Sequence, residues 1–131
     1  MPYEINEKQF NAVLELDGPS RYSHFISKVA DWQEVWSLKN QDGYVTICDD
    51  RENKGIPFWP HPNYAGALAK DEWENCHPHK IDLSEFLNIW LPGMQTDNLI
   101  VAVFPTPKSK GIIVEPLKLK EDLLTESEQY E

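Results

Sequence analysis

The residues of this chain best suited to chemistry lie in one short stretch, Cys76-His77-Pro78-His79, and at one separate position, His61, within Trp59-Pro60-His61-Pro62-Asn63. Thiolate and neutral imidazole are good ligands for zinc and similar ions. On an extended backbone His77 and His79 would face the same way, because side chains alternate with a period of two. Cys76, His77 and His79 are therefore the candidate metal ligands, with His61, His24 or a carboxylate as the ligand arriving from elsewhere. The spacing matches neither paired Cys-x-x-Cys nor His-Glu-x-x-His, and Pro78 favours a solvated loop over a metal site. A Cys76–His77 nucleophile pair is geometrically poor, since neighbours on a strand face opposite ways. His61 titrates near neutrality and can donate, accept or bind. It sits at an expected strand-to-helix junction, where polar groups gather at sheet ends. The plainer reading is a rigid connector in which Trp59 packs and His61 caps the helix. Trp59, His61 and Trp73 are the candidate binding residues.

Other clusters carry less. Asp49, Asp50 and Glu52, with Arg51 between them, fit a solvated loop better than a cation site, because no EF-hand spacing is present. Lys108 and Lys110 form a close basic pair suited to a phosphate or an acidic partner, but a charged loop that keeps the neighbouring apolar strand soluble explains them as well. Pro57-Phe58-Trp59-Pro60 has a PxxP spacing, yet two bulky aromatics between the prolines argue for packing rather than groove recognition. No Gly-x-Gly-x-x-Gly, Walker loop or Gly-x-Ser-x-Gly occurs. No catalytic residue is assigned, no cofactor is expected, and the sequence leans away from an enzyme.

The elements that must position these residues follow from periodicity. Asn6 and Gln9 have capping-box spacing ahead of Phe10, Val13 and Leu14, so a first helix is expected there. Tyr22, Phe25, Ile26, Val29 and Ala30 mark a second, with Pro19 in its first turn. Val35–Leu38 and Tyr44–Cys48 read as strands about an Asp42-Gly43 turn. Ile56–Trp59 is a third strand, placed at an edge or ending early because Pro57 cannot donate. Pro62 opens a helix through Tyr64, Ala65, Leu68 and Ala69, with Trp73 at its ragged end. His79–Asp82 is a short strand. Asp82 and Glu85 have capping-box spacing ahead of a helix carrying Leu83, Phe86, Leu87, Trp90 and Leu91, which Pro92-Gly93 should end. Leu99–Phe104 is continuously apolar and should be covered on both faces. Ile112–Val114 is the last strand, and Pro116 starts a final helix carrying Leu117, Leu123 and Leu124. The expected fold is α+β, one domain over residues 1–131, order ααβββαβαββα, with two N-terminal helices and a mixed or antiparallel sheet. An acidic tail from about residue 125 to 131 should fray.

The chain has 131 residues, 40% of them hydrophobic and 11% aromatic, enough for one core. Twelve Lys and Arg against 22 Asp and Glu give a net charge of −10. Such a field repels nucleic acid and anionic membranes and attracts a basic protein partner. The opening residues carry no secretory pattern and no apolar run is long enough to cross a bilayer. With only Cys48 and Cys76, the expectation is a cytoplasmic protein with reduced thiols. Of the five tryptophans, Trp32, Trp59 and Trp73 fall at element ends, where a half-exposed ring suits an interface. Homodimerisation is a further expectation, through an exposed edge strand or a tryptophan groove.

Several segments together carry a family likeness: 29–36 (Val-Ala-Asp-Trp-Gln-Glu-Val-Trp), 58–62 (Phe-Trp-Pro-His-Pro), 86–93 (Phe-Leu-Asn-Ile-Trp-Leu-Pro-Gly) and 102–107 (Ala-Val-Phe-Pro-Thr-Pro). Over about residues 21–124 the chain resembles an uncharacterised bacterial family, domain of unknown function 2750. The resemblance implies a small cytoplasmic bacterial protein and no particular activity. A fainter likeness, in element order and in Ile56-Pro57-Phe58-Trp59, is to the N-terminal domain of secretion-linked SseB-type proteins and to some toxin-immunity domains; it is fold-level analogy. The leading expectation is a non-enzymatic protein-interaction or regulatory domain. The alternative is a small-molecule or metal-binding protein, with a site near His61 and Cys76–His79.

Overall fold

Two capped helices open the structure, a computed structural model that describes residues 6–48, 50–69, 73–106 and 111–128. In α1 (Glu7–Leu14) the Asn6 side chain accepts from the Gln9 backbone N–H at 2.8 Å, and Gln9 returns the bond at 3.4 Å, completing the expected box. Asp17 caps α2 (Gly18–Trp32) by accepting from the Ser20 N–H at 2.8 Å, with Pro19 in the first turn, where its missing N–H costs nothing. Phe25, Ile26, Val29 and Ala30 face the core as their spacing predicts, and Arg21 is buried with them. Gln33, in the left-handed region at φ 62°, ends the helix.

β1 (Glu34–Asn40) turns through Gly43, at φ 127°, into β2 (Gly43–Tyr44). The expected return strand Tyr44–Cys48 does not stay with β1. Val45 still donates to the Leu38 carbonyl, but the chain then leaves, and β3 (Ile47–Cys48) pairs with β4 (Lys54–Phe58) instead. One predicted strand thus becomes two short ones in different sheets. The first sheet is antiparallel, order β2-β1-β5, with β5 at His77–Asp82; the second is mixed, order β3-β4-β6-β7, with β6 at Ile100–Val103 and β7 at Ile112–Val114. Its single parallel pair is β4 with β6 (Ile100–Val103), and β7 (Ile112–Val114) closes it. All four β6 residues are buried, as a continuous apolar run requires. Reciprocal backbone bonds of 2.8 Å between Trp36 and Trp59 join the two sheets.

Pro57 does not place β4 at an edge. The strand is interior, because the β3 ladder stops at Gly55 and the proline lies beyond it. There the Ser37 hydroxyl donates to the Pro57 carbonyl at 2.8 Å, so a side chain satisfies that acceptor. Gly55 is required by close approach: a Cβ there would lie 2.5 Å from the Ile100 carbonyl oxygen.

The helix opened by Pro62 is shorter than expected. α3 (Pro62–Gly66) ends within five residues and tightens into turns at Leu68 and Ala69. β5 (His77–Asp82) is longer than expected, and it includes Pro78, tolerable because β5 is an edge strand. The Asp82–Glu85 box does not form; Asp82 makes no capping bond with its side chain. Nor do Pro92 and Gly93 end the following helix. α4 (Leu83–Glu85) passes through a π-helical turn, Phe86–Trp90, into α5 (Leu91–Thr96). The wider turn restarts the helix at Leu91, so Pro92 occupies a first-turn position that asks for no N–H.

α6 (Pro116–Ser127) packs against α2 and α5. Its inward residues are Leu119 and Leu123, both completely buried, whereas Leu117 and Leu124 point outward, half exposed. The stretch expected to fray from residue 125 is helical as far as Ser127, and residues 129–131 lie outside the described residues. The α+β class and the two leading helices stand as read. With residues 83–96 counted as one helical segment, the order is ααββββαβαββα, one strand longer than expected. Among the described residues no helix is long and apolar enough to cross a membrane.

Candidate functional site

The parallel strands β4 and β6 end side by side, and the chain leaving them carries Trp59, His61, Phe104 and Thr106. Trp59 is completely buried, and its indole N–H donates to the Pro105 carbonyl at 2.8 Å. His61 caps α3: its Nδ1 accepts from the Asn63 N–H at 3.1 Å, so the proton of the neutral ring sits on Nε2. Only 3% of His61 is exposed, and burial holds its imidazole below the ordinary histidine pKa. The expected rigid connector is therefore present, built around the expected histidine.

A series of ring contacts runs through this corner. The His61 ring lies against Trp32 at 5.7 Å and Tyr64 at 6.3 Å between centroids, and Tyr64 reaches Phe104 at 4.8 Å. Phe104 meets His24 at 6.3 Å, and Phe10 stacks on Tyr64 at 5.2 Å. The Lys28 ammonium sits 5.6 Å from the Trp32 ring centroid, one helical turn beyond His24. Burial and the nearby Lys28 charge both lower the His24 pKa; burial pushes Tyr64 up to about 12. Both groups are neutral at pH 7.

Phe104 holds a left-handed backbone, φ 57°, unusual for a bulky side chain. Its N–H donates to the Phe58 carbonyl at 2.8 Å, and its carbonyl accepts from Arg21 Nε at 3.1 Å. Arg21 also donates from Nη1 to the Leu16 carbonyl at 2.8 Å. A buried guanidinium thus pins α2 to the strand end and to the α1–α2 connection. The sequence reading missed Arg21, His24 and Tyr64 as a group, because their meaning lies in contacts between distant segments. Only the stripe Arg21, His24, Lys28 along α2, basic within an acidic chain, hinted at them.

The other candidates lie on β5 and in the turn before it. Trp73 is half-buried against the core, and Cys76 is buried just ahead of β5. His77 is exposed, pairing in register with Lys39, while His79 is half-buried opposite Ser37. The same-face alternation holds, because the segment is a strand and not the loop favoured from Pro78. His79 packs edge-on against Tyr44, which also meets Trp90 at 4.7 Å. Among the described residues no three His, Cys, Asp or Glu side chains gather closely enough to hold a metal ion. Asp49, Lys108 and Lys110 lie outside the described residues.

The surface offers a different feature. On α6 and its C-cap residue Glu128, Leu117, Glu121, Leu124 and Glu128 follow at i, i+4, i+7 and i+11, so they line one outward stripe, and all four are exposed. Leu117 is 50% and Leu124 44% exposed.

Fold and site together describe a small α+β domain. The family model described as a protein of unknown function (DUF2750) matches residues 22–123, and the chain belongs to that family. No curated protein and no solved structure gives a match, and the likeness to SseB-type domains is not confirmed.

Proposed function

We propose that this chain is a non-enzymatic protein-interaction domain, acting through the outer face of α6 on a partner with a basic amphipathic segment. The observation that carries this reading is the alternating stripe Leu117, Glu121, Leu124, Glu128. It runs about 16 Å along the helix axis, at ~1.5 Å per residue. A helix with apolar residues seven apart and lysines or arginines between them is its chemical complement. The net charge of −10 draws such a segment in. A second copy is the poorer occupant, since it would set Glu121 and Glu128 against their own kind. Covering what remains exposed of both leucines is worth about 2 kcal/mol, or roughly thirtyfold in affinity. The tryptophans do not support this surface, because Trp59 is sealed in the core and Trp32 is engaged by Lys28 and His61. A cytoplasmic, bacterial setting belongs to the same proposal; it is supported by free Cys48 and Cys76.

The test is capture from cell extract by wild type, a Leu117→Asp/Leu124→Asp variant and a Glu121→Lys/Glu128→Lys variant. The reading expects one partner, bound through a basic amphipathic segment, lost with either variant and weakened by salt. Equal capture by all three proteins would overturn it.

A further inference from the structure

We infer that a row of four side chains, Lys39, Tyr44, Trp90 and Glu85, is the surface through which two copies of this chain associate about a two-fold axis. It is independent of the α6 face.

The row lies where β1 and β2 meet the π-helical turn. Lys39 and Tyr44 are register partners on β1 and β2, so both side chains stand on one face of the sheet. There the Lys39 ammonium sits 5.3 Å from the Tyr44 ring centroid. The Tyr44 and Trp90 rings meet at 4.7 Å, perpendicular to each other. Trp90 in turn donates from its indole N–H to a Glu85 carboxylate oxygen at 3.2 Å. Glu85 and Trp90 are five positions apart, and the π-helical turn, wider than an α-helical one, brings such a pair to one side. Cation, ring, ring and anion thus follow in spatial order. All four reach solvent: Glu85 is exposed, and Lys39, Tyr44 and Trp90 are half-exposed. Next to Trp90 in the turn, Ile89 is 66% exposed, the most open large apolar side chain among the described residues.

The order of charges selects the occupant. A two-fold axis through the Tyr44–Trp90 pair sets the Lys39 end of one row against the Glu85 end of the other, and does so twice. A surface with one positive and one negative end is therefore complementary to itself, whereas a uniformly basic or acidic partner would meet a like charge at one end. The α6 stripe lacks this property, because both its charges are negative. Neither Lys39 nor Glu85 has an ion-pair partner among the described residues, so both charges are available. The two rings and Ile89 supply an apolar centre, and the ion pairs form its rim. Two chains of net charge −10 repel each other at long range, so the association is measured at moderate salt, where that field is screened.

Sedimentation velocity over a concentration series is the test. The chain should pass from monomer to dimer and no further, since a two-fold contact closes on itself. Ile89→Asp, a change at an exposed position, should weaken the dimer about tenfold or more. Lys39→Glu alone and Glu85→Lys alone should each weaken it as well, by setting like charges together at both ends of the row. An equimolar mixture of those two variants should dimerise again, because every charge then meets its opposite. A contact elsewhere on the chain would gain nothing from the mixing. A monomer at every concentration, a dimer untouched by Ile89→Asp, or no recovery in the mixture would each overturn the inference.

Discussion

Arg21 reaches a carbonyl 83 positions away, at Phe104, and a second one at Leu16. A buried guanidinium that feeds backbone carbonyls holds three segments at once. Its removal leaves those acceptors unmet, so Arg21→Met should cost about 2–3 kcal/mol, read as a lower urea midpoint at unchanged slope. The two histidines of the corner set a pH response. Burial lowers both His24 and His61 below 6.5, so the unfolded chain binds more protons in that range. Stability should therefore be complete above about pH 7 and fall as pH drops through 6.5 towards the folded values. His61→Asn, which keeps a capping side chain, should flatten part of that fall; a melting series from pH 8 to 5 measures it. Asp17 acts in a different window: its bond from the Ser20 N–H lowers its pKa, so its contribution fades only in acid below the ordinary carboxylate range. His61 as a cap was legible, since a polar residue before Pro62 at a strand-to-helix junction has few other uses. The setting of Tyr64 was not legible, because its ring contacts with Phe10 and Phe104 come from distant segments.

Elements were legible where pattern and punctuation agree. The Asn6–Gln9 box, the α2 stripe, the Asp42-Gly43 turn and the buried β6 run all form as their residues imply. The misreadings share a cause, which is that tertiary context supplied what the local rule said was missing. The end of the β3 ladder at Gly55 gives Pro57 a place inside a sheet, and a π-helical turn gives Pro92 a place inside a helix. The α6 leucines were misassigned because Leu117, Leu119, Leu123 and Leu124 allow two registers of an apolar face. The packing against α2 and α5 selects Leu119 and Leu123. Leu119→Ala should then cost roughly 2–5 kcal/mol as a buried cavity, while Leu124→Ala should stay within about 0.5 kcal/mol. Thermal or denaturant unfolding of the pair separates the two faces of one helix. Gly55→Ala should destabilise as well, since its methyl meets the Ile100 carbonyl and neither strand of the parallel pair can yield without breaking the ladder.

At the scale of the whole molecule, two sheets share one core through the Trp36–Trp59 bridge. The charge of −10 was plain from composition, but where it meets exposed apolar surface was not. That meeting occurs on α6, and the central claim is that a basic amphipathic partner docks there. The most direct measurement is an amide-resolved NMR titration of the chain with a helical peptide carrying leucines seven apart among lysines, repeated with the Leu117→Asp/Leu124→Asp variant. Saturable shifts centred on residues 117–128, lost in the variant, are the predicted result. Shifts that never saturate, fall elsewhere, or persist in the variant would contradict the account.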